Sequence, residues 1–109
     1  MKTDNSVCHV MKSGEVLNAH KSDSPLFYAV LYGDKTLCEK FSKRLSCSIK
    51  HLPIRLKFSY EYSTQKAIDL GITKDPTLVL NGKIFLEGLF QAEDITATFE
   101  KWLKDYKVV

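Results

Sequence analysis

The sequence predicts an α/β domain, α+β under some schemes, in which elements run β-α-β-α-β-β-α behind an N-terminal extension. Three observations carry that expectation. "LFYAVLYG", residues 26–33, is a continuous apolar and aromatic run between Pro25 and Gly33, and from Asp34 it gives way to apolar residues every fourth position, Leu37, Phe41 and Leu45. "TLVL" and "KIFLEG" flank an Asn81-Gly82 pair, a dipeptide that readily takes the positive φ values of a type I′ hairpin turn. Near the end, Ile95, Phe99, Trp102, Leu103 and Tyr106 lie on one helical stripe.

The elements follow in order. Residues 1–25 are the least periodic part, with a Ser13-Gly14 turn signal between the short apolar runs "VCHVM" and "EVL"; an edge strand, a hairpin or a loose arm all fit. Residues 26–33 suit a central strand buried on both faces, and residues 26–109 form the domain proper. The helix that follows has Lys40, Lys43 and Arg44 between its apolar positions. Thr36 with Glu39 has capping-box spacing, and Asp34 competes as the N-cap. "IRLKF", residues 54–58, alternates apolar and basic side chains as a half-buried strand does. "STQKAIDLG", residues 63–71, reads as a short helix starting on Ser63 and closing on Gly71. The last helix places Glu93 and Asp94 in its first turn and lysines toward its end, which complements the helix dipole.

Composition narrows the function classes. With 109 residues, 44% hydrophobic and 27% charged, the chain can bury a single core without metal or disulfide staples. Its net charge of +3 comes from lysines scattered along the chain, which argues against a nucleic-acid partner. No stretch approaches a membrane span, so no membrane partner is expected. "MKTDNSVCHV" has no apolar h-region, and the three cysteines, Cys8, Cys38 and Cys47, have no regular spacing; a cytoplasmic protein with free thiols is expected. Cys8, His9, His20 and His51 match no compact zinc pattern, so neither a metal nor a cofactor is expected. Phe58, Tyr60 and Tyr62 beside Arg55 and Lys57 have the look of a base-stacking platform, but a core Phe58 with two rim tyrosines explains them more simply.

The short helix, "LGI", "PTLVL", "NGK" and the Gly88 after the last strand together resemble the thioredoxin-like superfamily, most specifically over residues 63–88 and less so over 26–107. The resemblance implies a mixed central sheet and a cis peptide bond before Pro76. It also implies a reactive Cys-x-x-Cys at the start of the first helix, where this sequence reads "YGDKTLCEK". Cys38 matches the second cysteine, and Lys35 stands in place of the nucleophilic first. Two-step exchange needs a thiolate to attack and a second thiol to resolve, so dithiol chemistry is in doubt.

Cys47 cannot supply that thiol. It lies nine residues after Cys38 on the same predicted helix, roughly 13 Å along the axis, whereas a disulfide needs Cα atoms within about 7 Å. The approach of Cys8 to Cys38 stays open. Cys38 alone reads as a small buried hydrophobe or as a single reactive thiol: Lys35 and the helix start favour the thiolate, while Asp34, Glu39 and Asp75, which the resemblance places across from the helix start, oppose it. The resemblance further implies that the backbone beside Pro76 pairs with an extended peptide or with glutathione, which needs no dithiol. Two functions follow as expectations. One is a peptide- or protein-binding module using Asp75, Pro76, Thr77 and Lys35. The other is a monothiol, glutaredoxin-type oxidoreductase with Cys38 as nucleophile and glutathione as the resolving thiol. A homo-oligomer built by exchange of residues 1–25 is a third possibility.

Overall fold

The computed structural model describes residues 8–108. Its strands and helices are β1 (Val16–Leu17), β2 (Leu26–Tyr32), α1 (Lys35–Ser48), β3 (Arg55–Glu61), α2 (Thr64–Asp69), β4 (Thr77–Leu80), β5 (Lys83–Glu87) and α3 (Ala92–Val108). The five strands form one mixed sheet in the order β1-β3-β2-β4-β5. β2 is parallel to β3 and antiparallel to β4; β1 and β5 join antiparallel at the two edges. The α/β class expected from the element order is therefore the class observed.

The local reasons are those of the sequence. Asn81 and Gly82 take φ of 49° and 81° at the β4–β5 turn, the sign that a type I′ hairpin requires at both positions. The Asn81 side-chain oxygen also accepts the Tyr28 N–H at 2.8 Å, which ties the hairpin tip to the central strand. Ser63 caps α2 by accepting the Lys66 N–H. At the start of α1 the cap is Asp34, whose Oδ2 accepts the Leu37 N–H at 3.2 Å. The Thr36–Glu39 capping box does not form; Asp34 is the residue at which the chain leaves β2 with extended φ and ψ, the conformation an N-cap needs.

The core lies between one face of the sheet and helices α1 and α3. Phe27, Leu31, Leu56, Phe58 and Leu78 project from the strands against Phe41 and Leu45 of α1, its C-cap Ile49, and Ile95, Phe99 and Leu103 of α3. Rings interlock at its margin: Phe27 meets Trp102 edge-on at 4.9 Å, and Phe85 meets Phe99 at 4.7 Å. The register shift between Leu78 and Val79 leaves Phe85 without a partner across the hairpin, and its ring packs on α3.

Two expectations fail here. β2 is central but not buried on both faces, because Tyr28 is 56% exposed. On that second face Tyr28, Val30 and Tyr32 align with Lys57, Ser59 and Glu61 of β3. The cover is α2, six residues long and with no buried side chain; it stands near Tyr32 and leaves the Tyr28 end bare. The chain also does not keep three free thiols. Cys8 and Cys47 form a disulfide with Cα atoms 5.0 Å apart, and Cys38 is the free cysteine.

The disulfide follows from the path of the N-terminal segment. From Cys8 the chain runs along α1, where the Ser46 and Ser42 hydroxyls accept the His9 and Met11 N–H groups at 3.0 and 3.1 Å. Met11 is buried, 1% exposed. The chain then turns through Gly14 and adds β1 to the edge of β3. Of the three expectations for residues 1–25, the edge strand is the one formed within 8–25, and these residues pack on their own chain. Residues 1–7 lie outside the described part.

Candidate functional site

Beyond the C-terminal ends of β2 and β3 lies an open cleft of about 490 Å³. One wall is the β2–α1 corner, Tyr32 to Lys35. The second is Tyr62, Ser63, Thr64, Ala67 and Ile68 from the β3–α2 corner. The floor is Ile72 to Asp75, the loop that leads into β4. Apolar Ala67, Ile68 and Ile72 face a polar rim carrying Lys35 and Lys74 beside Asp34 and Asp75.

Two residues fix the corner. Asp75 accepts the Asp34 N–H through both carboxylate oxygens, at 2.9 and 3.2 Å. This anchors the floor loop to the first residue before α1. Gly33 makes that approach possible: its φ is +138°, and a Cβ there would overlap the Asp75 carboxylate. Glycine is required both for the backbone angle and for the space.

The floor loop carries an unused backbone edge. The Asp75–Pro76 peptide bond is cis. Thr77 Oγ1 donates to the Lys74 carbonyl at 2.6 Å, and the Gly88 N–H donates to the Pro76 carbonyl at 2.7 Å. Among the described residues, neither the N–H nor the C=O of Asp75 has a hydrogen-bond partner. An exposed residue with both groups free is able to pair with an added strand.

Of the residues singled out from the sequence, Lys35 and Asp75 line the cleft. Pro76 and Thr77 are buried beneath it, the latter with its hydroxyl spent on the Lys74 turn. Cys38 does not line it. The side chain is fully buried, and its N–H donates to the Asp34 carbonyl as the first bond of α1. Burial first, then the carboxylates of Asp75, Asp34 and Glu39, pushes the thiol up to about 12. The opposition of Lys35 to those carboxylates, balanced in the sequence, is thus settled by desolvation.

Among the cleft residues that sequence reasoning missed are Tyr62, Ile68, Ile72 and Lys74. Tyr62 stacks on Tyr60 at 5.5 Å and 21°. Its hydroxyl is held above the ordinary tyrosine value, by burial first and then by Cys38 and Glu39. Ile68 is 59% exposed, which the Ser63 start and Gly71 stop signals of this short helix do not indicate. No three His, Cys, Asp or Glu gather as a metal ligand set among the described residues. No helix of the described part is long and apolar enough to cross a membrane. Compared with known protein families and with curated proteins, the chain matches no family model and no curated sequence.

Proposed function

We propose that this chain is a thioredoxin-like domain without a redox dithiol, which binds an extended segment of a peptide or protein along its Asp75–Pro76 loop. The observation that carries the reading is the free N–H and C=O pair of Asp75 on the floor of a cleft with one apolar wall. The bound segment adds main-chain hydrogen bonds at Asp75 and seats an apolar side chain against Ile68 and Ile72, while Lys35 and Lys74 meet its carboxylates. The parallel β2–β3 pair and the antiparallel β4–β5 hairpin support the thioredoxin-like assignment.

The monothiol reading, with Cys38 as nucleophile and glutathione as co-substrate, has less support. A fully buried sulfur that stays a thiol at neutral pH is neither reachable nor activated. Fluorescence anisotropy with a labelled pool of unstructured hexapeptides separates the two. The binding reading expects saturable binding that Ile68→Glu abolishes and Cys38→Ser leaves intact. Glutathione-disulfide reduction lost in Cys38→Ser overturns it.

A further inference from the structure

The N-terminal segment is fastened to α1 by a covalent bond that a reductant can reach, and the fastening continues into the cleft wall. Cys8 is exposed and Cys47 half-buried, so the disulfide lies at the surface. Between it and β1 the strap is held by the Ser46 and Ser42 hydroxyls on the His9 and Met11 N–H groups. The Met11 carbonyl accepts the Tyr60 hydroxyl at 2.7 Å, and Ser42 Oγ stands 2.8 Å from the same hydroxyl. Tyr60 stacks on Tyr62, and Tyr62 is cleft wall. Disulfide, Met11, Tyr60 and Tyr62 thus form one contiguous series of contacts from the surface to the cleft.

We propose that Cys8–Cys47 is a redox-operated clip: reduction by a dithiol releases residues 8–12 from α1, and the release loosens Tyr60 and, through the stack, the Tyr62 wall. The step is ordinary exchange. A thiolate of the reductant attacks Cys8 Sγ, the S–S bond breaks, and Cys47 leaves as thiolate and takes a proton. The reductant's second thiolate then displaces Cys8 from the mixed disulfide. Two electrons and two protons pass to the protein, and the reductant becomes a disulfide. Once residues 8–12, with the buried Met11 side chain, have left α1, the strap is tethered beyond the turn, where Gly14 N–H donates to the Phe58 carbonyl and Phe58 N–H to the Glu15 carbonyl. The proposal goes beyond peptide binding and stands independently of it.

Amide hydrogen exchange followed by NMR, on the oxidised protein, on the protein reduced with dithiothreitol and on Cys8→Ala, tests it without any ligand. The expected result is that the His9 and Met11 amides, protected in the oxidised form, exchange at the rates of unstructured peptide in the other two. The Ala29 and Phe58 amides stay protected, and the Tyr62 ring and Ser63 amide resonances shift. Protection retained at His9 and Met11 overturns the proposal, as does release with the Tyr62 and Ser63 signals unmoved. Exchange at Ala29 and Phe58 at the rates of unstructured peptide also overturns it, since the chain then does not fold without the bond.

Discussion

Gly33→Ala tests the corner that places the floor of the cleft. In the structure φ at Gly33 is +138° and the added methyl would overlap the Asp75 carboxylate. Backbone strain for an L-residue held at positive φ costs roughly 1–2 kcal/mol. Displacing Asp75 also forfeits its hydrogen bonds to the Asp34 N–H, on the order of 1 kcal/mol for an exposed site. The sum, about 2–3 kcal/mol, lowers the Tm of a domain of this size by roughly 8–15 °C. Asp75→Ala alone costs only the second part, about 1 kcal/mol. In the double variant the carboxylate is gone before the methyl arrives, so the two losses combine to less than their sum by roughly 1 kcal/mol. Urea denaturation of the four proteins measures the cycle. A Gly33→Ala protein as stable as the parent, or strictly additive losses, refutes the reasoning.

Three further outcomes are expected. Reduction of Cys8–Cys47 reopens a 39-residue separation in the unfolded chain, and the chain-entropy account puts the stability loss near 4 kcal/mol; urea midpoints of oxidised and reduced protein measure it. Cys38 keeps its proton in the fold above the pH at which the unfolded thiol loses its own, so its contribution is complete below about pH 9 and is lost as pH rises toward about 12. Stability of the parent therefore falls over that alkaline range more steeply than that of Cys38→Ala, and iodoacetamide labels Cys38 at pH 8 only after denaturation. Ile68→Glu changes Tm by no more than a few degrees, because the side chain is 59% exposed and surface changes of this kind stay within about 0.5 kcal/mol.

What was legible in the sequence was whatever depends on near neighbours. The Asn81-Gly82 turn, the Ser63 cap and the period of α1 each state a local requirement that a few adjacent residues meet. Asp34 over Thr36 was nearly so, since both sit within three residues and only the exit angle of β2 chooses between them. The Cys8–Cys47 bond was not legible. It joins residues 39 apart and depends on the strap following α1, which in turn depends on Ser42 and Ser46 accepting backbone N–H groups. Serines in a helix pattern look like neutral filler; here they are buried acceptors for a second segment. The bare half of the sheet was hidden for a similar reason. "LFYAVLYG" is apolar throughout, and nothing in it says that α2 ends after six residues and leaves Tyr28 exposed. At the site, the sequence named Lys35 and Asp75, which both line the cleft, and Cys38, which is sealed away from it. Cys38 follows the apolar spacing of α1 inward, so its period along the helix was a better guide than its chemistry.

Chemical-shift mapping with short unstructured peptides carrying a bulky apolar residue tests the central claim most directly. Saturable changes confined to Tyr32–Lys35, Tyr62–Ile68 and Ile72–Thr77, with the Asp75 amide among the largest, are the predicted result. No saturable change at the Asp75 amide, or changes centred on Cys38, would contradict the account.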